Sequence, residues 1–467
     1  MNFLNRRRFM VNAFAFSATQ TIAGRARADE QTDSALETIN ALTAAYNASG
    51  YQLFAQFRKE PGNIVFSPYS IGTALAMALS GARSATEQEL TKVLMQHLTR
   101  SQIETANEKA CAILQSYDRT ADSGYCPEGM HLIGQQCETS IVDGDCPFLA
   151  IPKDGKCVGA PIKASARLSI ANGLMITPGS DTAILPAYII LVEKKYAAEV
   201  FHDATVEQIN AWVAHKTDGK IANIIDKAPG DTAAILLNAI YFQARWDHIF
   251  TKSATDDEDF YISPNVKIKT AMMHQKSYFP LLSGPGYQAI RLPFSIPELS
   301  MIVVRPEKMD GLSEIADHLD ASAQAQLFKA LSTSPRKAID LALPKFKFSF
   351  GADLVEAYKQ AGLHVAVTDN ADFGGIIAKP RGIKIDQISH RATFEVTEDG
   401  IEATAVTSVT FRYTSGTTSV PVPKYEPFFV DRPFLFFVHD SRTQAVLFEG
   451  CFVKPSHVAN NSATGIH

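Results

Sequence analysis

Residues 398–423 read EDGIEATAVTSVTFRYTSGTTSVPVP, and the first half of that stretch alternates with a period of two. Ile401, Ala403, Ala405, Thr407, Val409 and Phe411 take one set of positions, and Glu402, Thr404, Val406, Ser408, Thr410 and Arg412 take the other. Successive side chains of a strand point to opposite faces, so this spacing describes a strand with one mostly apolar face. The flanks read differently. The segment follows another strand-like run after the flexible step Glu398-Asp399-Gly400, and it leads into a stretch from Thr414 to Pro423 that has the Ser, Thr, Gly and Pro content of an exposed loop. On pattern alone an ordinary edge hairpin and an exposed loop with the side chains of a strand both stay open.

Upstream, Ile388 to Val396 and Ile339 to Phe350 alternate apolar and polar residues as half-buried strands do. Ala233 to Phe242 is a nearly unbroken apolar run, the mark of a strand covered on both faces. Downstream, Pro433 to Val438 and Ala445 to Phe448 read as a buried hairpin. Residues 51–95 read as helices: Ser67-Pro68 is a cap and first-turn pair, Ile71, Leu75 and Leu79 share one face, Gly81 closes the helix, and Thr86 with Glu89 has the spacing of a capping box that opens the next. Together these elements predict an α+β protein with large mixed and antiparallel sheets.

The 467 residues, 46% hydrophobic and 20% charged, are enough for a large core, and a net charge of −5 leaves no electrostatic footprint for nucleic acid or an anionic membrane surface. Neither is expected as a partner. Residues 1–28 read as an address. Arg6-Arg7-Arg8-Phe9 precedes an apolar stretch from Val11 to Gly24 and an A-x-A site at Ala26-Arg27-Ala28, the order of a twin-arginine export signal of bacteria. The mature protein is therefore expected in the periplasm or outside the cell. Between 123 and 160 the composition turns to Gly, Pro, Cys and Asp, as in an insertion, and Cys126 with Cys137 repeats the spacing of Cys146 with Cys157. In an oxidising compartment that repetition predicts the local disulfides Cys126–Cys137 and Cys146–Cys157, with Cys111 and Cys451 left as thiols. Zinc prefers tighter knuckles, so no metal is expected there.

No HExxH, Walker loop, GxGxxG or G-x-S-x-G occurs, and the histidines do not pair at metal-ligand spacing. A Ser/His/Asp triad leaves no mark in spacing, and nothing in the sequence argues for one. Neither a catalytic residue nor a cofactor is predicted.

Several blocks, in order, resemble the serpin family over about residues 40–456. Asn63-Ile-Val-Phe-Ser67-Pro68-Tyr-Ser70-Ile71, followed by Gly81-Ala82 and Thr86, resembles the family's first helical signature. Asn238-Ala-Ile-Tyr-Phe242, Trp246, Phe250, Thr255, Phe260 and Met272-Met273 are similar to its central strand block; Leu343-Pro344-Lys345-Phe346 and Ala371-Asp372-Phe373 to the next. Glu398 with Gly400 resembles the hinge, and Pro433-Phe434, Leu447-Phe448, Gly450 and Pro455 the closing signature.

The resemblance implies a serpin fold over residues 29–467, with three β-sheets, eight or nine helices and an exposed reactive-centre loop at 398–427. It implies an irreversible inhibitor of serine proteases, of chymotrypsin-like or subtilisin-like fold, and not an enzyme. The protease cuts the loop, the freed strand enters the main sheet, and the trapped acyl-enzyme is distorted. Glu398, Gly400, Ile401, Ala403, Ala405 and Thr407 would form the hinge and insert. Asn63, Ser67, Ser70, Asn238, Trp246 and His390 would line the place where the sheet opens. About seventeen residues from Glu398 put the cut bond between Thr414 and Ser415, suiting an elastase-like pocket, with Tyr413 (suiting a chymotrypsin-like enzyme) and Arg412 as alternatives, whereas counting back from Pro433 puts it nearer Ser419 to Val422. A monomer is expected. The runner-up is a non-inhibitory member acting as carrier, chaperone or interaction module. Ile401, bulkier than the small residue usual there, and Glu449 and Cys451 around Gly450 depart from the family pattern.

Overall fold

The computed structural model describes residues 33–117, 124–125, 131–133, 136–140, 150–153, 155–159, 162–163, 166–176, 184–202, 204–227, 233–377, 383–401 and 424–455. Nine helices lie in this part: α1 (33–57), α2 (Pro68–Gly81), α3 (Ser84–Val93), α4 (Arg100–Gln115), α5 (Pro186–Tyr196), α6 (Val206–Lys216), α7 (Leu312–His318), α8 (Ala321–Thr333) and α9 (Val355–Gln360). The Ser67 hydroxyl caps α2 by accepting from Ser70 N, and Pro68 sits where a missing N–H costs nothing.

The strands are β1 (Ile64–Phe66), β2 (Gly124–Tyr125), β3 (His131–Ile133), β4 (Gln136–Ser140), β5 (Ala150–Lys153), β6 (Lys156–Gly159), β7 (Ile162–Lys163), β8 (Ala166–Ile176), β9 (Ala198–His202), β10 (Ala233–Arg245), β11 (Thr255–Ser263), β12 (Val266–Gly284), β13 (Tyr287–Pro293), β14 (Leu299–Pro306), β15 (Arg336–Pro344), β16 (Phe346–Asp353), β17 (Lys384–Val396), β18 (Gly400–Ile401), β19 (Glu426–Phe429), β20 (Phe434–Asp440) and β21 (Val446–Phe452). Six of them make the central mixed sheet, in the order β16-β17-β18-β10-β8-β9. Two further sheets share β12: its first part runs between β11 and β15, with β19 beyond, and its end joins β13, β14, β20, β21 and β1. Strands β2 to β7 form a separate pair and a separate four-stranded sheet, within the cysteine-rich stretch.

β10 is buried on both sides, which is why its sequence is an apolar run. Ala234, Leu236, Ile240, Phe242 and Ala244 join the main core, while Ile235, Leu237 and Ala239 join a second cluster with Ile209 and Val213 of α6. The hairpin at the end of the chain is β20 paired antiparallel with β21, and every residue in it is buried.

Two local readings need correction. Ile339 to Phe350 is two strands, because the chain leaves one sheet at Pro344 and enters the central one at Phe346. Thr86 does not cap α3, which starts at Ser84 without a side-chain cap. Instead Thr86 Oγ1 accepts from Asp372 N at 2.9 Å, and the Glu89 carboxylate accepts from the backbone of His364, Val365 and Ala366. Both residues tie α3 to a distant segment whose N–H groups have no other partner nearby in sequence. Gly81 is the last residue of α2 and serves close packing: a Cβ there would fall 2.2 Å from Ile376 Cγ1.

Candidate functional site

The central sheet contains one parallel junction between long strands, β10 beside β17, and it is open at one end. From Ala233 opposite Lys384 to Ile240 opposite Ala392 the two strands pair directly. Beyond that point they part. Gly400 and Ile401 enter between them, so that Ile401 faces Ala244 on one side and Val396 on the other. The short strand runs antiparallel to both neighbours, and the Ile401 side chain is 1% exposed. A glycine is required to begin it. Gly400 has φ of +151°, and a Cβ would lie 2.1 Å from Ala244 O and 2.8 Å from Arg245 Cα, both backbone atoms.

The turn into this wedge is fastened on every side. Glu398, 4% exposed, receives Lys345 Nζ at 2.9 Å and Thr255 Oγ1 at 3.0 Å. Burial pushes its carboxyl up, but those hydrogen bonds outweigh burial and hold it below the ordinary glutamate value. Asp399 pairs with Lys252 at 2.8 Å. Trp246 Nε1 donates to Thr397 O at 2.9 Å, and its ring stacks on Phe294 with centroids 4.8 Å apart.

Where the strands are still joined, a polar row crosses the sheet. Asn172 of β8 lies opposite Asn238 of β10, which lies opposite His390 of β17. Asn238 Nδ2 donates to Asn172 Oδ1 at 2.8 Å and to the carbonyl and hydroxyl of Ser70 at 2.9 and 2.5 Å. His390 Nδ1 donates to Asn238 Oδ1 at 2.6 Å, and its Nε2 accepts from Ser67 N at 3.3 Å. These partners fix the neutral Nδ1–H tautomer, and burial pulls the imidazole down to about 3. A row of hydrogen bonds in an otherwise apolar layer is directional. It holds β10, β17 and the start of α2 in register.

Ser67, Ser70, Asn238 and His390 thus meet under the sheet, and Trp246, Glu398, Gly400 and Ile401 meet at its open end. Asn63 is elsewhere: its side chain accepts from Val453 N and Lys454 N and donates to Lys454 O, holding the tail after β21. Ala403, Ala405, Thr407, Arg412, Tyr413, Thr414 and Ser415 lie outside the described residues, as do Cys126 and Cys146. Strand β4 contains Cys137, and the buried Cys157 is disulfide-bonded, while Cys111 and Cys451 are thiols. Asn172, Lys252 and Asp399 were not among the predicted site residues. A lone Asn within the apolar stretch Ile170–Ile176 was the one available signal.

A family model described as Serpin (serine protease inhibitor) matches residues 44–455. Serpin B3 of Homo sapiens is 31% identical over 430 residues, covering 89% of this chain and 100% of that protein. Iris of Ixodes ricinus is 31% identical over 404 residues, covering 83% and 91%. Human thyroxine-binding globulin, solved in complex with thyroxine, shares the fold with a TM-score of 0.70 at 24% identity, covering 90% of this chain and 100% of that one.

Proposed function

The chain belongs to the serpin family, and from that premise we propose that it inhibits serine proteases as a suicide substrate, offering the segment after Ile401 for cleavage and then drawing it into the central sheet. The observation that carries this reading is the wedge. Gly400–Ile401 already occupies the end of the gap between β10 and β17, with the direction an inserting strand needs. β10 and β17 also keep one register on both sides of the point where they part. Continuing the register of Ile401 would bring Ala403 between Phe242 and Phe394, Ala405 between Ile240 and Ala392, and Thr407 between Asn238 and His390.

Those positions call for small side chains. The rings of Phe242 and Phe394 already pack on Phe448 beneath the sheet, at 6.1 and 5.4 Å between centroids, so a large residue between them would have no room. Thr407 would meet the polar row with a hydroxyl able to join it. Full insertion adds hydrogen bonds on both edges of the new strand and buries its odd face, which supports a cut form more stable than the uncut one.

The protease stays joined only while its acyl-ester escapes hydrolysis, so a denaturing gel decides. Incubation with chymotrypsin-, elastase- and trypsin-type enzymes should give a covalent complex with at least one of them. Clean cleavage without complex by all three would leave the carrier reading, for which thyroxine-binding globulin is the fold neighbour. We further place the cut after Thr414, the export signal at residues 1–28 and local disulfides in the cysteine-rich stretch. The peptide released from the denatured complex would begin at Ser415, or at Thr414 for a chymotrypsin-like target.

A further inference from the structure

Glu449 of β21 is 1% exposed and forms no ion pair among the described residues. Its Oε1 accepts from Gln324 Nε2 of α8 at 3.2 Å, and the same nitrogen donates to Leu319 O at 3.2 Å. Both amide hydrogens are therefore used. The two oxygens left over, Glu449 Oε2 and Gln324 Oε1, are each buried with no partner. Both are acceptors if the acid is ionised. Turning the amide round does not help, since its oxygen would then face Leu319 O and the carboxyl group. A single proton on Glu449 turns one of the two acceptors into a donor.

No neighbour offers a countercharge. From α1 and the turn that follows it the nearby groups are Tyr51 and Arg58, and Arg58 is engaged by Asp317 at the end of α7. Asp320 caps α8 by accepting from Ala323 N. On β20, His439 lies against Phe328 of α8 and is held neutral, pulled by burial down to about 3. Cys451, two residues along on the same strand, has its thiol pushed by burial up to about 12. Burial likewise pushes the Glu449 carboxyl up to about 8, against the opposing Gln324 hydrogen bond.

We infer that Glu449 is an un-ionised acid in the folded protein, paired with the Gln324 carboxamide, and that the junction of β21 with α8 is a pH-sensitive clasp that slackens in alkali. A carboxyl whose folded value is raised stabilises the fold in full below its unfolded value. That contribution is lost as pH rises through the folded value and stays lost above it.

The thermal midpoint of the full chain between about pH 5 and 10 tests this in the parent, Glu449→Gln and Glu449→Met. The glutamine can still accept from Gln324 Nε2 through its oxygen, and the methionine keeps the volume. Between about pH 5 and 8 the parent midpoint should fall relative to both variants, with the gap constant above that window, and E449Q should overtake the parent within it. Infrared spectra at neutral pH should show a protonated-acid carbonyl band in the parent that E449Q lacks. Parallel midpoint curves, or no such difference band, would overturn the inference. Should neither variant fold, the parent spectrum decides: loss of a protonated-acid band between about pH 7 and 9 without unfolding supports it, and absence of the band at neutral pH overturns it.

Discussion

Acid should loosen the middle of the central sheet, and His390 sets by how much. The ring is completely buried, with Nδ1–H given to Asn238 and Nε2 facing the Ser67 amide hydrogen. A second ring proton would point at another donor, and burial holds the folded value down to about 3 from the ordinary 6.5. The folded chain therefore refuses a proton that the unfolded chain accepts. Stability contributed by this site is present above about pH 6.5 and falls as the pH drops toward the folded value. Between pH 7 and pH 5 the unfolded state gains about 2 kcal/mol at one such histidine. His439, also pulled down to about 3, adds a similar loss, whereas Glu449 works in the opposite direction over the same window. The raw slope is thus a partial cancellation, and the difference from His390→Gln is what isolates the site. Urea unfolding at the two pH values should show the variant losing about 2 kcal/mol less than the parent. Equal losses would mean that His390 takes up its proton without disturbing the row, and the directional hydrogen-bond argument would fail.

Gly400→Ala should expel the wedge, because the new Cβ meets backbone of β10; exposing Ile401 costs about 2 kcal/mol, and the Ile401 amide should exchange faster with solvent. Unaltered exchange would show that the close contact at Ala244 is relieved some other way. Lys345→Ala leaves the Glu398 carboxylate buried with Thr255 as its remaining side-chain donor, at a cost of about 1–3 kcal/mol at neutral pH that should shrink in acid as Glu398 protonates. A variant as stable as the parent at neutral pH would assign the hinge geometry to the backbone alone. Thr407→Arg should turn inhibitor into substrate, since a charge beside Asn238 and His390 costs several kcal/mol, roughly, on insertion; covalent complex at the parent yield would contradict the register. One cut in the loop should raise the thermal midpoint, where nicking an ordinary loop leaves it equal or lower. A midpoint that does not rise would remove the case for insertion.

Strands whose burial is uniform were legible from the residues themselves. β10 reads as an apolar run because two different clusters cover its faces, and β20 and β21 read as a hairpin because both are buried throughout. Alternation says nothing of which sheet a strand joins, so the pattern ran unbroken across Lys345 while the chain changed partners. Capping spacing is equally blind to outside donors, and Thr86 and Glu89 serve residues 364–372. The polar row was half legible: Asn238 and His390 stood out through resemblance, whereas Asn172 joins them by strand pairing that no local pattern encodes. Asn63 has the right neighbours in sequence and a different task in space.

The pairing of β1 with β21 joins Ile64 to Cys451, and it bears on how such a chain reaches its fold during synthesis. Helix α2 and the early strands emerge long before β20 and β21, whose side chains fill the floor beneath Phe242 and Phe394. Until those last strands arrive, the growing chain holds apolar faces that nothing yet covers, and closing so long a loop is slow. Any chain released before β20 would lack the centre of its core, making it a substrate for chaperones and proteolysis rather than a shorter working protein.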